Sequence, residues 1–453
     1  MKFLTRDRQF YSTLGHLMLV VILQNVVTYS VNMADNLMLG TYSQACLSGA
    51  AAVNMIQFVF QSLANGLGEG VVILGSQYWG QNRPGPVRRL AGIALLSGAA
   101  AGTLLFAATS LFPQQILHLF TEDEAIVQQG AAYLELIRFT YILFGMTAVL
   151  NAIMRTIGAV NVTFGVAVVS LVVDVAINYA LIFGKFGCPE LGIRGAAVGT
   201  LAARLLEVII LLGYLAFREK KLALFSENPF RPEPVLCRDY YKTAGSVAAS
   251  SVLWSLAAPI QTGILGHLTA DAIAANSVST TLYQYLKVVT QGEASASAGL
   301  GGRTVGHGDW DKIREYTRTL QVIYLIIGLL LGGALFFIRI PLLQLYDLTP
   351  AAREMADGIL RLLCIVMVGM AYQMPVSSGI IRGGGDTRFQ LYCNLISTWG
   401  IVVPLSFAAA FWLRWPVVAV VACLNSDQLF KCIPIAIRVN NYKWVKKLTK
   451  ADA

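Results

Sequence analysis

The residues in this sequence that could do chemistry are acids and amides set in apolar runs. Asp35 lies in SVNMADNLMLG, and Asp174 and Asn178 lie four apart in SLVVDVAINYALIFG, a spacing that places both on one face of a helix. A carboxylate in hydrocarbon costs about 3 kcal/mol, so it faces a cavity and has a partner. The chemistry open to such a group is uptake and release of a proton or a small cation. Tyr133, Asn151 and Thr200 offer further oxygens that could complete the cluster. A second set has a different character: Lys287 and Glu293 in one apolar stretch, with Trp254, Gln261, Tyr283 and Met370 nearby in the same half. Aromatic faces attract cations and thioethers adapt to varied shapes, which suits a cavity for organic solutes. A Lys at that depth wants a carboxylate or open water, and Glu293, six positions on, is badly placed on the helix to supply it. Helix locking and core packing compete with these readings at every position. Glu135 with Arg138, Arg204 with Glu207, and Asp357 with Arg361 stand at i, i+3 or i, i+4 and are expected to pair within their helices.

The elements that must hold these residues are membrane helices. The chain has 453 residues, 56% hydrophobic and only 13% charged, with a mean hydropathy of +0.62, where soluble domains carry roughly 25% charged residues. Twelve stretches reach the roughly 20 apolar residues a spanning helix needs, the first at 11–39 and the last at 416–438. The longest polar segment, 218–239, leaves no room for a soluble catalytic domain. Basic residues cluster at the N-terminus (Lys2, Arg6, Arg8), in the second loop (Arg83, Arg88, Arg89), in the central linker and at the C-terminus (Lys443, Lys446, Lys447, Lys450). By the positive-inside rule those segments are cytoplasmic. The net charge of +9 is then an orientation signal and implies no nucleic acid. The seven cysteines have no paired spacing, and His16, His118, His267 and His307 are dispersed, so a membrane-embedded hydrolase lacks its constellation.

The sequence repeats internally. At an offset near 226, LMLG (37–40) falls on GILG (263–266); at 227, NAIMRTIG (151–158) answers SGIIRGGG (378–385). Asp35 then falls on Gln261, Asp174 on Gly400 and Asn178 on Pro404, so the acids concentrate in the first half. Each half holds six helices, joined by 218–242 with Pro229, Pro232 and Pro234. Secondary transporters commonly carry such repeats. Pro259, Pro375, Pro404 and Pro434 are candidate kinks.

Several segments carry a family resemblance in their order, spacing and duplication. Helix one ends in NMADNLMLG, the loop after helix two reads QYWGQNRPGPVRR with a partner GRTVGHGDWDKIREY, and helices four and ten are followed by MRTIGAVN and IRGGGDTRF. Together these resemble the multidrug and toxic compound extrusion (MATE) family over nearly the whole chain. In its DinF-like members an Asp in helix one and an Asn-x-x-x-Asp pair in helix five are implicated in cation coupling. Asp35 matches the first; here the pair is Asp174-x-x-x-Asn178, the same spacing with the types exchanged. Val20 stands where a proline is expected, so a proline-bend mechanism is not carried over. NorM-like members place acids in helices seven and ten, where this chain has only Asp357 near the entry of helix ten. The glycines of these boxes, Gly80, Gly306 and Gly383 to Gly385, are expected in tight turns with positive φ.

The expectation is an all-α membrane protein of twelve helices in two parallel-repeat bundles: residues 1–217, a cytoplasmic linker 218–242, a second bundle 243–438 and a cytoplasmic tail 439–453. The resemblance implies a non-enzymatic secondary antiporter, without cofactor, that exports organic, amphipathic, cationic solutes against H+ or Na+ by alternating access. Coupling is assigned to Asp35, Tyr133, Asn151, Asp174, Asn178 and Thr200, with Na+ a possible ligand near Asp35 and Asp174. The substrate cavity is assigned to Trp254, Gln261, Tyr283, Lys287, Glu293 and Met370. The chain is placed in a bacterial plasma membrane as a monomer, both termini cytoplasmic. The alternative is a lipid-linked oligosaccharide flippase of the same superfamily.

Overall fold

The computed structural model describes residues 4–118, 121–226, 228–231, 233–266, 270–346 and 348–449, without the side chains of 262, 265, 266 and 270. Lys2, Pro232, His267 and Lys450 lie outside the described residues. All regular structure among them is helical. In chain order the long helices are α1 (Arg8–Tyr42), α2 (Gln44–Gly80), α3 (Pro84–Leu111), α4 in two segments (Glu124–Ile137 and Thr140–Ile157), α5 (Val160–Ile182) and α6 (Ile193–Phe217). They continue as α7 (Pro234–Gly266), α8 (Ala270–His307) and α9 (Trp310–Gln344), then α10 (Pro350–Ile381), α11 (Thr387–Trp412) and α12 (Val417–Asn440). Among the described residues eleven helices are long and apolar enough to cross a membrane. The twelfth, α8, has the length but carries Asp271, Lys287, Glu293 and Arg303.

The chain forms two compact units, one of Met1–Ile22 with Leu253–Leu448, the other of Leu23–Val252 with Thr449–Ala453. In the unit of residues 23–252, α3 meets α4 at Gly98 and Gly145, each glycine facing the other's carbonyl; a Cβ on Gly145 would lie 2.2 Å from the Gly98 oxygen. In lipid, helices gain nothing from hiding apolar surface, so close packing across small residues holds them together. Described residues of the linker fold onto this unit: Arg88 Nε donates to the Leu222 carbonyl (2.5 Å), Leu222 and Leu224 are buried, and Arg89 pairs with Glu233. Helix α7 starts at Pro234, earlier than the expected 243. Proline is well tolerated in a first helical turn, and the Tyr240 hydroxyl docks on the Leu67 carbonyl at 3.0 Å.

In the other unit the N-terminal segment is stapled to α9: the Thr5 amide donates to Thr319 Oγ1 (2.9 Å) and the Tyr316 hydroxyl to Asp7 Oδ2 (2.7 Å). That hydrogen bond holds the Asp7 carboxyl below the usual range. Helix α10 widens to i→i+5 turns over Pro375–Ile381, and α11 does so over Leu395–Val402 and Ala408–Trp412, either side of Pro404. A proline removes an i→i−4 bond and its ring crowds the preceding turn, so two of the four expected kinks, at Pro375 and Pro404, occur as wide turns, while Pro434 lies within the helical segment Cys432–Asn440, just past a turn at Lys431. Pro259 stays inside continuous α-helix.

The duplicated loop boxes are structural clamps. Arg155 pairs with Glu69 at 2.7 Å, tying α4 to α2. Asp386, buried, accepts from Arg438 Nε (2.9 Å) and Lys446 Nζ (2.5 Å), fastening the C-terminal segment while Trp444 lies against Gly384. Of the glycines expected at positive φ, only Gly385 has it (φ 104). Gly80 and Gly306 complete helical turns, and Gly383 gives room to the Ala298 backbone. Gly158 (φ 84), Asn82 (φ 57) and Gly308 (φ 76) make the turns instead.

Candidate functional site: an acid and amide group on α1, α5 and α6

In the unit of residues 23–252, α5 brings Asp174 and Asn178 inward, both fully buried (1% and 0% exposed). Asp35, on α1, is half-buried. The Asn178 amide nitrogen donates to Asp35 Oδ1 at 2.7 Å and to Asp174 Oδ2 at 3.2 Å. The two carboxyls lie within side-chain hydrogen-bonding reach of each other. Two carboxyls that close hold a proton between them, or both ionise only with a cation present. Asp174 Oδ1 and Asn178 Oδ1 are buried without a hydrogen-bond partner, a costly condition that a bound ion or proton would relieve.

Helix α6 makes this arrangement possible. Gly195 and Gly199 sit four apart on it, and α5 lies so close that a Cβ on Gly199 would fall 1.9 Å from Asn178 Oδ1. Thr200, next on α6, lies beside both Asp174 and the buried Tyr133. Of the six expected coupling residues, Asp35, Tyr133, Asp174, Asn178 and Thr200 are therefore together. Asn151, half-buried on α4, joins the group by no side-chain hydrogen bond among the described residues.

Arg204, one turn beyond Thr200, acts on both carboxyls while pairing with Glu207 (2.8 Å) and lying over the Phe144 ring (5.1 Å). The intrahelical pair was legible at i, i+3; the second role of Arg204 was not. The expected Glu135–Arg138 pair does not form. The first α4 segment ends at Ile137, so Arg138 leaves the helix face of Glu135 and lies over Phe106 and Phe139, while Glu135 pairs with Arg194 (2.8 Å). Asp357 pairs with Arg361 (2.6 Å) as expected, and also with Arg339 (2.9 Å).

In the unit of residues 253–448, Lys287 lies 5.0 Å from the Trp254 ring centroid and the Tyr283 hydroxyl donates to Met370 Sδ (2.7 Å). Gln261, half-buried on α7, makes no hydrogen bond among the described residues. Glu293 stands apart, fully buried with neither carboxyl oxygen hydrogen-bonded, near Tyr324. Sequence reading missed a buried ion pair in α12, Asp427 with Lys431 at 2.8 Å. The repeat offset of 227 points there, from Thr200 to Asp427 and from Arg204 to Lys431. A groove of about 940 Å³ opens between α9, α10 and α12, lined by Arg318, Gln321, Tyr372 and Asn440 among others. No expected site residue lines it. No three His, Cys, Asp or Glu side chains converge on a metal site among the described residues.

The MatE family profile matches this chain twice, over residues 21–180 and 247–408, once in each half. The chain is similar to a probable multidrug resistance protein NorM of Thermotoga maritima, 24% identical over 425 residues, covering 94% of this chain and 91% of the relative. It is 21% identical to the uncharacterized transporter YisQ of Bacillus subtilis, covering 91% and 90%. Its fold is similar to that of the eukaryotic MATE transporter AtDTX14 (TM-score 0.84, 18% identity, 96% and 97% covered). The Vibrio cholerae MATE transporter VcmN in the bent form is equally similar (TM-score 0.85, 16% identity, 96% and 97% covered). Duplicated profile, helix order and relatives matched over nearly their whole length agree: the chain belongs to the MatE family of multidrug and toxic compound extrusion transporters.

Proposed function

We propose that this chain exports organic solutes across the plasma membrane by alternating access, driven by inward H+ or Na+. Members of its family are ion-coupled antiporters and not enzymes. The site we assign to coupling is Asp35, Asp174 and Asn178, with Thr200 and Tyr133 beside them. The observation that carries the reading is the pair of buried, unpartnered oxygens, Asp174 Oδ1 and Asn178 Oδ1, next to two carboxyls in contact. A proton satisfies them by letting one carboxyl donate; Na+ satisfies them as a hard cation taking oxygen ligands. Arg204 offsets part of the negative charge. Concentration of acids in the first half favours the DinF-like pattern over the NorM-like one. The repeat halves, 1–217 and 243–438, are assigned as the two six-helix bundles, with both termini cytoplasmic and the protein working as a monomer.

The family's cationic amphiphiles, among them substrates of multidrug exporters, are the expected solutes. Trp254, Tyr283 and Met370 give the surface for the amphipathic part. A flippase for lipid-linked pyrophosphate would need a cluster of free basic groups, whereas Lys431 is already paired. The test is flux into inverted vesicles under an imposed ΔpH or Na+ gradient: wild type should take up solute only with a gradient, and Asp174→Asn should couple weakly. Equal uptake with and without gradients would contradict antiport.

A further inference from the structure

The region of the second unit that the repeat makes equivalent to the coupling site is built differently. There Asp427 and Lys431 are both buried (7% and 5% exposed) and paired at 2.8 Å. Lys431 Nζ also donates to Asn394 Oδ1 (3.1 Å), the Gln428 amide nitrogen donates to Asp427 Oδ1 (2.9 Å), and Gln428 Oε1 accepts from Gln373 (2.7 Å). Where the first half leaves carboxyl and amide oxygens open, the equivalent place in the second half answers its carboxylate, Asp427, with a resident ammonium. A mobile cation has no vacancy to fill there.

Lys287, on α8, is a further basic residue of the same unit. The carboxylate that acts on it is Asp427, which Lys431 and Gln428 already satisfy. Its amine has no ion-pair partner among the described residues and rests over the Trp254 indole. Glu293, on the same helix, offers neither an ion pair nor a hydrogen bond. The Tyr283 hydroxyl is spent on Met370. The Lys287 amine, with no ion pair of its own among the described residues, sits against the Trp254 ring while the nearest acting carboxylate, Asp427, is taken by Lys431. An ammonium at membrane depth needs a counter-charge or open water, and an anionic ligand can supply the first.

We propose that Lys287 is an anion-binding residue, taking the carboxylate, sulfonate or phosphate group of an amphipathic solute. Trp254 positions the amine and offers apolar surface to the rest of the solute. This rests on the exporter reading and widens its solute class from amphipathic cations to zwitterions and organic anions. The Asp427–Lys431 pair holds the local charge so that the acidic group meets Lys287 and not a competing carboxylate.

The experiment measures binding without any gradient, on the full chain in phosphatidylcholine nanodiscs, by calorimetry with two matched probes, naphthalene-1-sulfonate and 1-naphthylmethylammonium. Wild type and Lys287→Arg should bind the sulfonate, and Lys287→Met should bind it about tenfold or more weakly, the loss of one charge-assisted hydrogen bond. The ammonium probe should bind Lys287→Met no more weakly than wild type. Thermal melts confirm that each variant is folded. Replacing part of the phosphatidylcholine by phosphatidylglycerol should leave sulfonate affinity unchanged; competition would overturn a solute site in favour of a lipid headgroup. The proposal is also overturned if wild type fails to bind the sulfonate, or if Lys287→Met binds it equally well. Lys287-dependent sulfonate binding without gradient-driven export of the sulfonate would leave the site standing and remove the exporter reading instead.

Discussion

Gly199→Ala probes the proposed coupling site without altering any residue assigned to bind the ion. The added methyl would fall 1.9 Å from Asn178 Oδ1 but 3.3 Å from the Asn178 backbone nitrogen. The backbone need give only slightly, whereas the amide must swing away by roughly 1.5 Å to reach ordinary contact. Its nitrogen then leaves Asp35 and Asp174, to which it donates at 2.7 and 3.2 Å. Losing even the shorter of these two hydrogen bonds, to a charged group, costs about 2 kcal/mol, a factor of about thirty in an equilibrium constant. The variant should therefore melt close to wild type while its half-saturation by the coupling ion shifts about thirtyfold. The assay is driven flux in proteoliposomes as a function of pH and of Na+, beside a thermal melt of the same preparation. A folded variant with unchanged half-saturation would refute the idea that the Asn178 amide organises the carboxyls.

Two further outcomes follow from the charges and the topology. Arg204→Gln strands the nearly buried Glu207, and breaking such a pair costs about 3 kcal/mol or more. Arg204→Gln with Glu207→Gln should recover most of that stability in denaturation, and its flux should saturate at lower coupling-ion concentration because a positive charge beside the carboxyls is gone; saturation at higher concentration would contradict the placement of Arg204. For orientation, Gln114→Cys should react with a membrane-impermeant maleimide in intact cells above the background of the native cysteines, whereas labelling only after lysis would invert the topology.

Helix number, repeat and acid positions were legible because they follow from hydrocarbon thickness and the cost of charge within it. Helix α8 needed the repeat as well, since Lys287, Glu293 and its many hydroxyls and glycines make it too polar for composition alone. Pro375 and Pro404 announced irregular turns because a missing amide leaves a local signature. Gly199 did not, since nothing in the sequence says which glycine an amide of α5 will approach. Arg204 was read as a partner of Glu207, its near neighbour, because i, i+3 pairs are local and contacts across helices are not. The Asp427–Lys431 pair is an i, i+4 acid and base like many on solvated helix faces, and only mapping Thr200 and Arg204 onto it through the repeat marks its position as the counterpart of the first-half acids.

We propose that Asp35 couples ion movement to export by changing its protonation or ligation. Asp35→Asn keeps the shape of the side chain and mimics the protonated carboxyl, and a ligand shifts a conformational equilibrium only by its differential affinity for the two states. The decisive measurement compares solute binding and gradient-driven flux for Asp35→Asn and wild type, on folded protein at matched amounts in the same proteoliposomes. Retained solute binding with loss of ΔpH- or Na+-driven flux is the predicted result. Full driven flux in Asp35→Asn would contradict the account and move coupling toward Glu293, the buried carboxyl of the other unit.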